Sequence, residues 1–272
     1  MGRGTWGWVV PEGLWEIAEP LLPPFMVRLQ GGGTQDAPDE TLFAAIIYVL
    51  VSGCAWRSLP PCFGISKSTA HRRFLIWSRA GVWGRLHEAV LDRIDECGLL
   101  DLTCTVFDSA HVRAKKGANS QGPSPVDRGK PGSTMHVLSD ANGLPLVVGV
   151  HAGNTPDSQG LKAMVAGLQT RHDPGNGWHY KPRELHADKA YDQRDLQRWP
   201  RGKHIDVRIV RNGIESSERL GRRRWVIERT MSWLTGYRWL NHRSERHPGS
   251  YLALLGLAAT RCCQKRLSHR TT

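Results

Sequence analysis

Three acidic residues lie in surroundings that should repel carboxylates, in the order Asp, Asp, Glu along the chain. Asp108 ends the apolar run Thr103-Cys104-Thr105-Val106-Phe107. Asp188 ends Glu184-Leu185-His186-Ala187 and precedes Lys189-Ala190-Tyr191. Glu228 sits inside Arg222-Arg223-Arg224-Trp225-Val226-Ile227-Glu228-Arg229, the most basic stretch of the chain. A carboxylate at a strand end projects out of the core, and a lone glutamate among arginines can hold a cation where a phosphate backbone docks. Brought together, the three would make a two-metal site suited to cutting and joining phosphodiesters. Singly, each has a plainer use: a turn cap for either aspartate, or neutralisation of Arg224 at i, i+4 for Glu228. Asp192 competes with Asp188 but reads better as the cap of the helix that follows.

Charge points the same way. The chain has 272 residues, a net charge of +12 and a pI near 9.8, which implies a polyanionic partner. Residues 201–272 hold 16 Lys+Arg against 5 Asp+Glu, so nearly all the excess falls in the last quarter. Nucleic acid fits that clustering better than an anionic membrane surface does. The longest apolar stretch, Leu42 to Val51, is too short to span a bilayer, and no secretory signal core precedes Trp6 and Trp8. Six cysteines without a C-x-x-C pair read as buried free thiols in a reducing cytoplasm. Zinc held by Cys54, Cys62 and His71 has poor spacing to recommend it.

The elements that must position these groups fall into two parts, residues 1–100 and 101–272. In the first, Asp39 caps the apolar helix Thr41 to Ser52, which Gly53 ends. Ser66 opens a second helix in which Ala70, Phe74 and Trp77 share a stripe, while Lys67, His71, Arg72 and Arg73 supply a polar-basic side. A helix, a short connection and a basic helix outline a helix-turn-helix-like DNA reader, although a plain helical bundle gives the same pattern. A helix over Gly84 to Cys97 completes this all-α part.

In the second part Thr103 to Phe107 is a buried strand, and Met135–Ser139 and Leu144–His151 form a hairpin around Asn142-Gly143. A polar loop from Arg113 to Gly132 separates them. Helix 157–169, strand 184–188, helix 192–199, strand 206–210 and helices 222–234 and 251–263 follow. This order is that of an RNase H-like mixed sheet, in which the first strand meets the fourth and brings Asp108 beside Asp188. Trp225, Trp233 and Trp239 offer stacking surfaces for an unpaired base, but tryptophan at helical spacing is more often core. His111 and His136 serve equally as substrate contacts or structural residues.

Asp108-Ser109, Lys130 to Asp140, His186-Ala187-Asp188-Lys189-Ala190-Tyr191 and Arg224 to Leu234 together resemble bacterial insertion-sequence DDE transposases, nearest the fifth insertion-sequence family. The resemblance runs through roughly 40–265 and includes Gly53 to Pro60. The Trp-Val-Ile-Glu-Arg-Thr block is its most specific part. It implies an α/β RNase H-like catalytic domain behind the helical domain, with Asp108, Asp188 and Glu228 as the catalytic and metal-binding triad and Arg224 as the arginine before the glutamate. The wider superfamily often has a tyrosine where this chain has Gly221 and a lysine where it has Thr235. Arg229 and Arg238 are alternatives for the phosphate contact so lost.

The implied activity is that of an endonuclease and DNA strand transferase using two Mg²⁺ ions, with Mn²⁺ as a substitute. Asp108 and Glu228 would hold the ion that activates water, and Asp108 and Asp188 the ion on the leaving 3′ oxygen. Partners would be double-stranded DNA, as terminal inverted repeats and as target, with the protein a homodimer in the synaptic complex at the bacterial nucleoid. Lys67, His71, Arg72, Arg73, Arg222, Arg223, Arg224, Arg229 and Arg238 would contact DNA. A nuclease without strand transfer, or an inactive DNA-binding relic or regulator, would share parts of this pattern.

Overall fold

The β-branched and aromatic run before Asp108 becomes the central strand of the protein in a computed structural model. The structure describes residues 6–24, 37–115, 122–124, 127–170, 180–188, 191–209 and 217–268, excepting the side chains of 157, 197 and 217–224. The strand, β1 (Cys104–Ala114), does not stop at Phe107 as its apolar run suggests. It continues because Val112 and Ala114 alternate inward with the period of two that pairing requires. Asp108 is therefore mid-strand rather than at a strand end.

Two short elements lie in segments read as loop: β2 (Gly122–Pro123) and, near the chain's end, β7 (His242–Arg243). The other strands are β3 (Pro131–Ser139), β4 (Pro145–Ala152), β5 (Glu184–Ala187) and β6 (Asp206–Ile209). β1 pairs antiparallel with β3 and parallel with β5; β5 pairs parallel with β6, and β3 antiparallel with β4. The main path is thus β4-β3-β1-β5-β6, with β2 beside β3 and β7 parallel to the far end of β1. This is the mixed sheet of the RNase H-like class, and its first long strand meets the strand that precedes Asp188, as the sequence predicts.

Asn142-Gly143 makes the β3–β4 turn, where Gly143 has φ 83°, a conformation that only glycine adopts without strain. Helix α5 (Asp157–Gln169) covers β3 and β4, and Gly160 lets it approach His136 so closely that a Cβ there would stand 2.5 Å from the ring.

The all-α part contains α1 (Leu14–Ala18), α2 (Asp39–Ser52), α3 (Lys67–Arg79) and α4 (Val82–Glu96). Ser66 accepts a hydrogen bond from the Thr69 amide at the start of α3, as its capping position predicts. The connection between α2 and α3 spans residues 53–66, with two single 3₁₀ turns, and is longer than the expected short one. The tight turn is Ala80-Gly81, between α3 and α4.

After α6 (Arg194–Arg201) and β6 come α7 (Ser217–Thr235), α8 (Arg238–Asn241) and α9 (Pro248–Ser268). α7 packs against β1 and β3, and α9 against both α4 and β4. One buried cluster runs from Leu42, Trp77 and Trp83 through Leu255 to Val137, so the two parts share a core. Within it the His87 ring nitrogen reaches the Pro145 carbonyl at 2.8 Å, and the Cys263 thiol approaches that same carbonyl at 3.7 Å. No helix among the described residues is long and apolar enough to cross a membrane.

Candidate active site

Asp108 and Asp188 become neighbours through strand register. Cys104 to Phe107 on β1 lie opposite Glu184 to Ala187 on β5, in parallel, one residue to one residue. The next step along each chain is Asp108 and Asp188. Adjacent strands stand about 4.8 Å apart, so the backbones at this step present two carboxylates side by side. Asp108 is half-buried and its Oδ1 accepts the Ser109 amide at 2.8 Å; Asp188 is exposed.

A hydrogen-bonded latch holds the Asp188 end in place. The Ser109 hydroxyl and the Tyr191 hydroxyl are 2.8 Å apart, and the Tyr191 amide donates to the Asp188 carbonyl at 3.0 Å. The Tyr191 ring is buried, edge-on to Phe107 at 5.1 Å, and Phe107 stacks on His136 at 5.7 Å. This column ties the turn after β5 to the strand that carries Asp108. The sequence offered a signal for it, an aromatic residue three positions after Asp188, but no spacing rule linked that residue to Ser109. Asp192 does not cap α6: Gln193 occupies that position, without a side-chain hydrogen bond.

His136 is 1 % exposed, packed against His151 at 4.9 Å and under α5. Burial, with His151 and His111 nearby, lowers its pKa to about 4. It is a neutral structural ring, and only exposed His111 of the two named histidines is open to substrate.

Glu228 is exposed on α7, the helix that packs on β1. That helix is pinned by its neighbours. Thr230 Oγ1 donates to the Gly143 carbonyl at 2.7 Å, and Arg229 donates to the Asn142 carbonyl at 2.6 Å. The Arg229 guanidinium lies between two indoles, 4.4 Å from Trp225 and 4.8 Å from Trp233. Arg229 is therefore engaged within the protein, against its expected role as a phosphate contact. Trp225 and Trp233 are 50 % and 40 % exposed, so the preference for a core role was wrong for both. Trp239 fits that preference, packing near Trp56 and donating to the Cys54 carbonyl.

The expected basic face of α3 is also narrower than its sequence. Lys67 and Arg72 are exposed, but the His71 ring packs on Trp56 at 5.0 Å and Arg73 lies against the start of α2, 4.0 Å from Asp39. Arg238 is exposed, with its stem against Gly53. The side chains of Arg222, Arg223 and Arg224 lie outside the described residues, as does the side chain at position 221. Thr235, where the superfamily has lysine, spends its hydroxyl on the Met231 carbonyl of its own helix.

Asp and Glu oxygens are hard donors of the kind Mg²⁺ takes. Among the described residues no three His, Cys, Asp or Glu side chains stand close enough together to hold an ion. The donor set fits a divalent metal in its chemistry, with two donors in register and the third on a helix packed against the same strand.

Comparison with known proteins adds to this geometry. Residues 100–263 match the family model described as the transposase DDE domain, and residues 10–87 a model described as a transposase of the IS4/5 family. The chain is 34 % identical over 147 residues, 54 % of its length and 68 % of the relative's, to a protein named as a transposase for insertion sequence element IS402 of Burkholderia cepacia. It is 33 % identical over 119 residues, 43 % of its length and 81 % of the relative's, to an uncharacterised 16.2 kDa protein of the same element. Among solved structures, piggyBac transposase in a synaptic complex with hairpin DNA is similar in fold, with a TM-score of 0.52 at 10 % identity over 98 % of this chain and 75 % of that one.

Proposed function

The chain belongs to the DDE-domain transposase family, and on that premise we propose that it binds the terminal inverted repeats of an insertion sequence, cleaves at the element ends and joins the freed 3′-hydroxyl to target DNA. The observation that supports this reading is the parallel β1–β5 register, which brings Asp108 and Asp188 to adjacent strand positions, with Glu228 on a helix packed against β1. In the first step water attacks the scissile phosphorus and the P–O3′ bond breaks, giving a 3′-hydroxyl and a 5′-phosphate. In the second, that hydroxyl attacks a target phosphorus and displaces the target's own 3′ oxygen. Neither step needs a covalent link to the protein.

A divalent ion bound by Asp108, Asp188 and Glu228, Mg²⁺ or Mn²⁺ in its place, would supply charge stabilisation and lower the pKa of attacking water. The protein's own part is positioning. The Ser109 amide orients the Asp108 carboxylate, the Tyr191 latch fixes the turn after β5, and the Asn142 and Gly143 carbonyls hold α7 against the sheet. Lys67, Arg72 and Arg238 remain exposed for DNA phosphates, with Arg222, Arg223 and Arg224 alongside them in this proposal. His71, Arg73 and Arg229 support the packing instead.

Residues 1–100 would read the repeat and 101–272 perform the chemistry. This is a division of roles, because α9 buries itself against α4. The protein would act at the bacterial nucleoid as a homodimer holding two ends. The test is a labelled duplex carrying the terminal inverted repeat, with and without Mg²⁺, followed by a plasmid as joining target. Metal-dependent cutting and joining is expected. Cutting without joining would favour a plain nuclease, and binding without cutting an inactive relic.

A further inference from the structure

One cleft among the described residues lies away from the carboxylates. It has a volume of about 670 Å³ and lies where the end of α2, the β3–β4 turn, α7 and α9 meet. Neither Asp108, Asp188 nor Glu228 lines it. Four cations do: Arg229, Arg261, Lys265 and Arg266. Two aromatic rings do also, Trp233 and Tyr237, and no Asp or Glu is among the lining residues.

Two features mark this as more than a basic surface. First, the Nε atoms of Arg229 and Arg261 are buried without a hydrogen-bond partner among the described residues. Each guanidinium spends one Nη on a main-chain carbonyl, Asn142 for Arg229 and Val9 for Arg261, so its charge is left for an anion in the cleft to balance. Second, Trp233 is 40 % exposed beside these cations, with Arg229 against it. A large indole left open to water at the rim of a cationic cleft is poised for a flat ring. The cleft's volume falls within the range typical of small-ligand sites, too confined for the face of a duplex.

We propose that this cleft is a nucleotide site, in which a base stacks at Trp233 and Tyr237 and its phosphate lies against Arg261, Lys265 and Arg266. The nucleotide is either free in solution or an unpaired unit of a DNA strand. The chemistry is shared, and the two sources are separable by experiment. The site does not depend on the assignment of the carboxylates.

The test uses the full chain and a 5′-fluorescein-labelled dT12 strand, read by fluorescence anisotropy at fixed salt, against a blunt 12-base-pair duplex. Unlabelled dATP serves as competitor. Trp233→Leu should weaken dT12 binding roughly fivefold or more, the loss expected for one stacked base, and leave duplex binding within about twofold. Trp233→Phe should restore most of it. The double variant Lys265→Ala, Arg266→Ala should weaken dT12 and reduce the salt dependence of its binding. Displacement of dT12 by dATP identifies a free-nucleotide site; dT12 binding that dATP fails to displace identifies an unpaired strand. Equal losses on dT12 and duplex, or no dT12 binding, overturn the proposal. Circular dichroism melts show which variants are folded, and the Phe variant carries the test if the Leu variant is not.

Discussion

The β3–β4 turn and the β1–β5 strand pair each place an aspartate directly after a strand, and they hold it in opposite ways. Asp140 is fully buried and its carboxylate takes three backbone amides, from Asp101, Asn142 and Leu144, at 3.2, 2.9 and 2.7 Å. Its bonding capacity goes into closing a turn. Asp188, at the end of β5, is exposed, and Asp108 beside it is half-buried. Neither is closed in by a turn of its own as Asp140 is. The same residue type is structural where the backbone folds over it and, in the proposed function, chemical where a second strand ends beside it.

The largest effect that would break this comparison is at the open pair. Asp108→Asn, Asp188→Asn and Glu228→Gln should each reduce repeat cleavage by roughly a thousandfold or more, the loss of several kcal/mol of charge stabilisation. Duplex binding, measured by gel shift, should stay within about twofold. Wild-type cleavage by any one of them removes that residue from the site.

The closed aspartate should behave in the opposite sense. Asp140→Ala strands three buried amides and should cost about 3 kcal/mol in denaturant unfolding, without a specific loss of cleavage by the fraction that remains folded. Its ionisation also has a signature. Burial raises the Asp140 pKa from its ordinary value to about 6, outweighing the amides that pull it down. The unfolded chain then ionises first as pH rises, so this group's contribution falls between about pH 4 and 6 and is constant above. The stability of Asp140→Asn relative to wild type should therefore improve across that window, by up to about 3 kcal/mol for a shift of this size. A difference that does not change with pH would show that Asp140 is not buried as described.

The smallest effect sharpens the open side. Tyr191→Phe removes the hydroxyl that reaches Ser109 and should cost about 1 kcal/mol of stability. Cleavage should fall about tenfold because the turn after β5 is less well held. Calorimetric binding of Mn²⁺ should weaken in parallel, whereas a role confined to the core would leave metal affinity unchanged.

Much of this arrangement was legible in the residues, and the gaps have physical causes. Val106 and Leu185 announce buried strands, and Asn142-Gly143 announces the hairpin, because these signals are local. Where β1 ends was misread because Ser109, His111 and Arg113 interrupt the apolar run, although Ala110, Val112 and Ala114 keep the period of two. Helical spacing groups Trp225 with Trp233, but spacing cannot say whether such a stripe faces core or solvent; the carbonyls of Asn142 and Gly143, which hold α7, decide that. His71 and Arg73 read as a DNA-facing pair until Trp56 and Asp39, from separate segments, claim them. The three carboxylates needed their order and their family context, because each alone has an ordinary role.

The packing of α9 against α4 also sets an order of events during synthesis. Val82, Trp83, Leu86 and Val90 leave the ribosome long before the residues of α9 that complete their shared core. Helix α4 must wait, partly uncovered, until α9 has been made. Folding thereby joins the N-terminal helices to the sheet-containing part late and together, and a polypeptide released before residue 248 leaves that shared core unfinished.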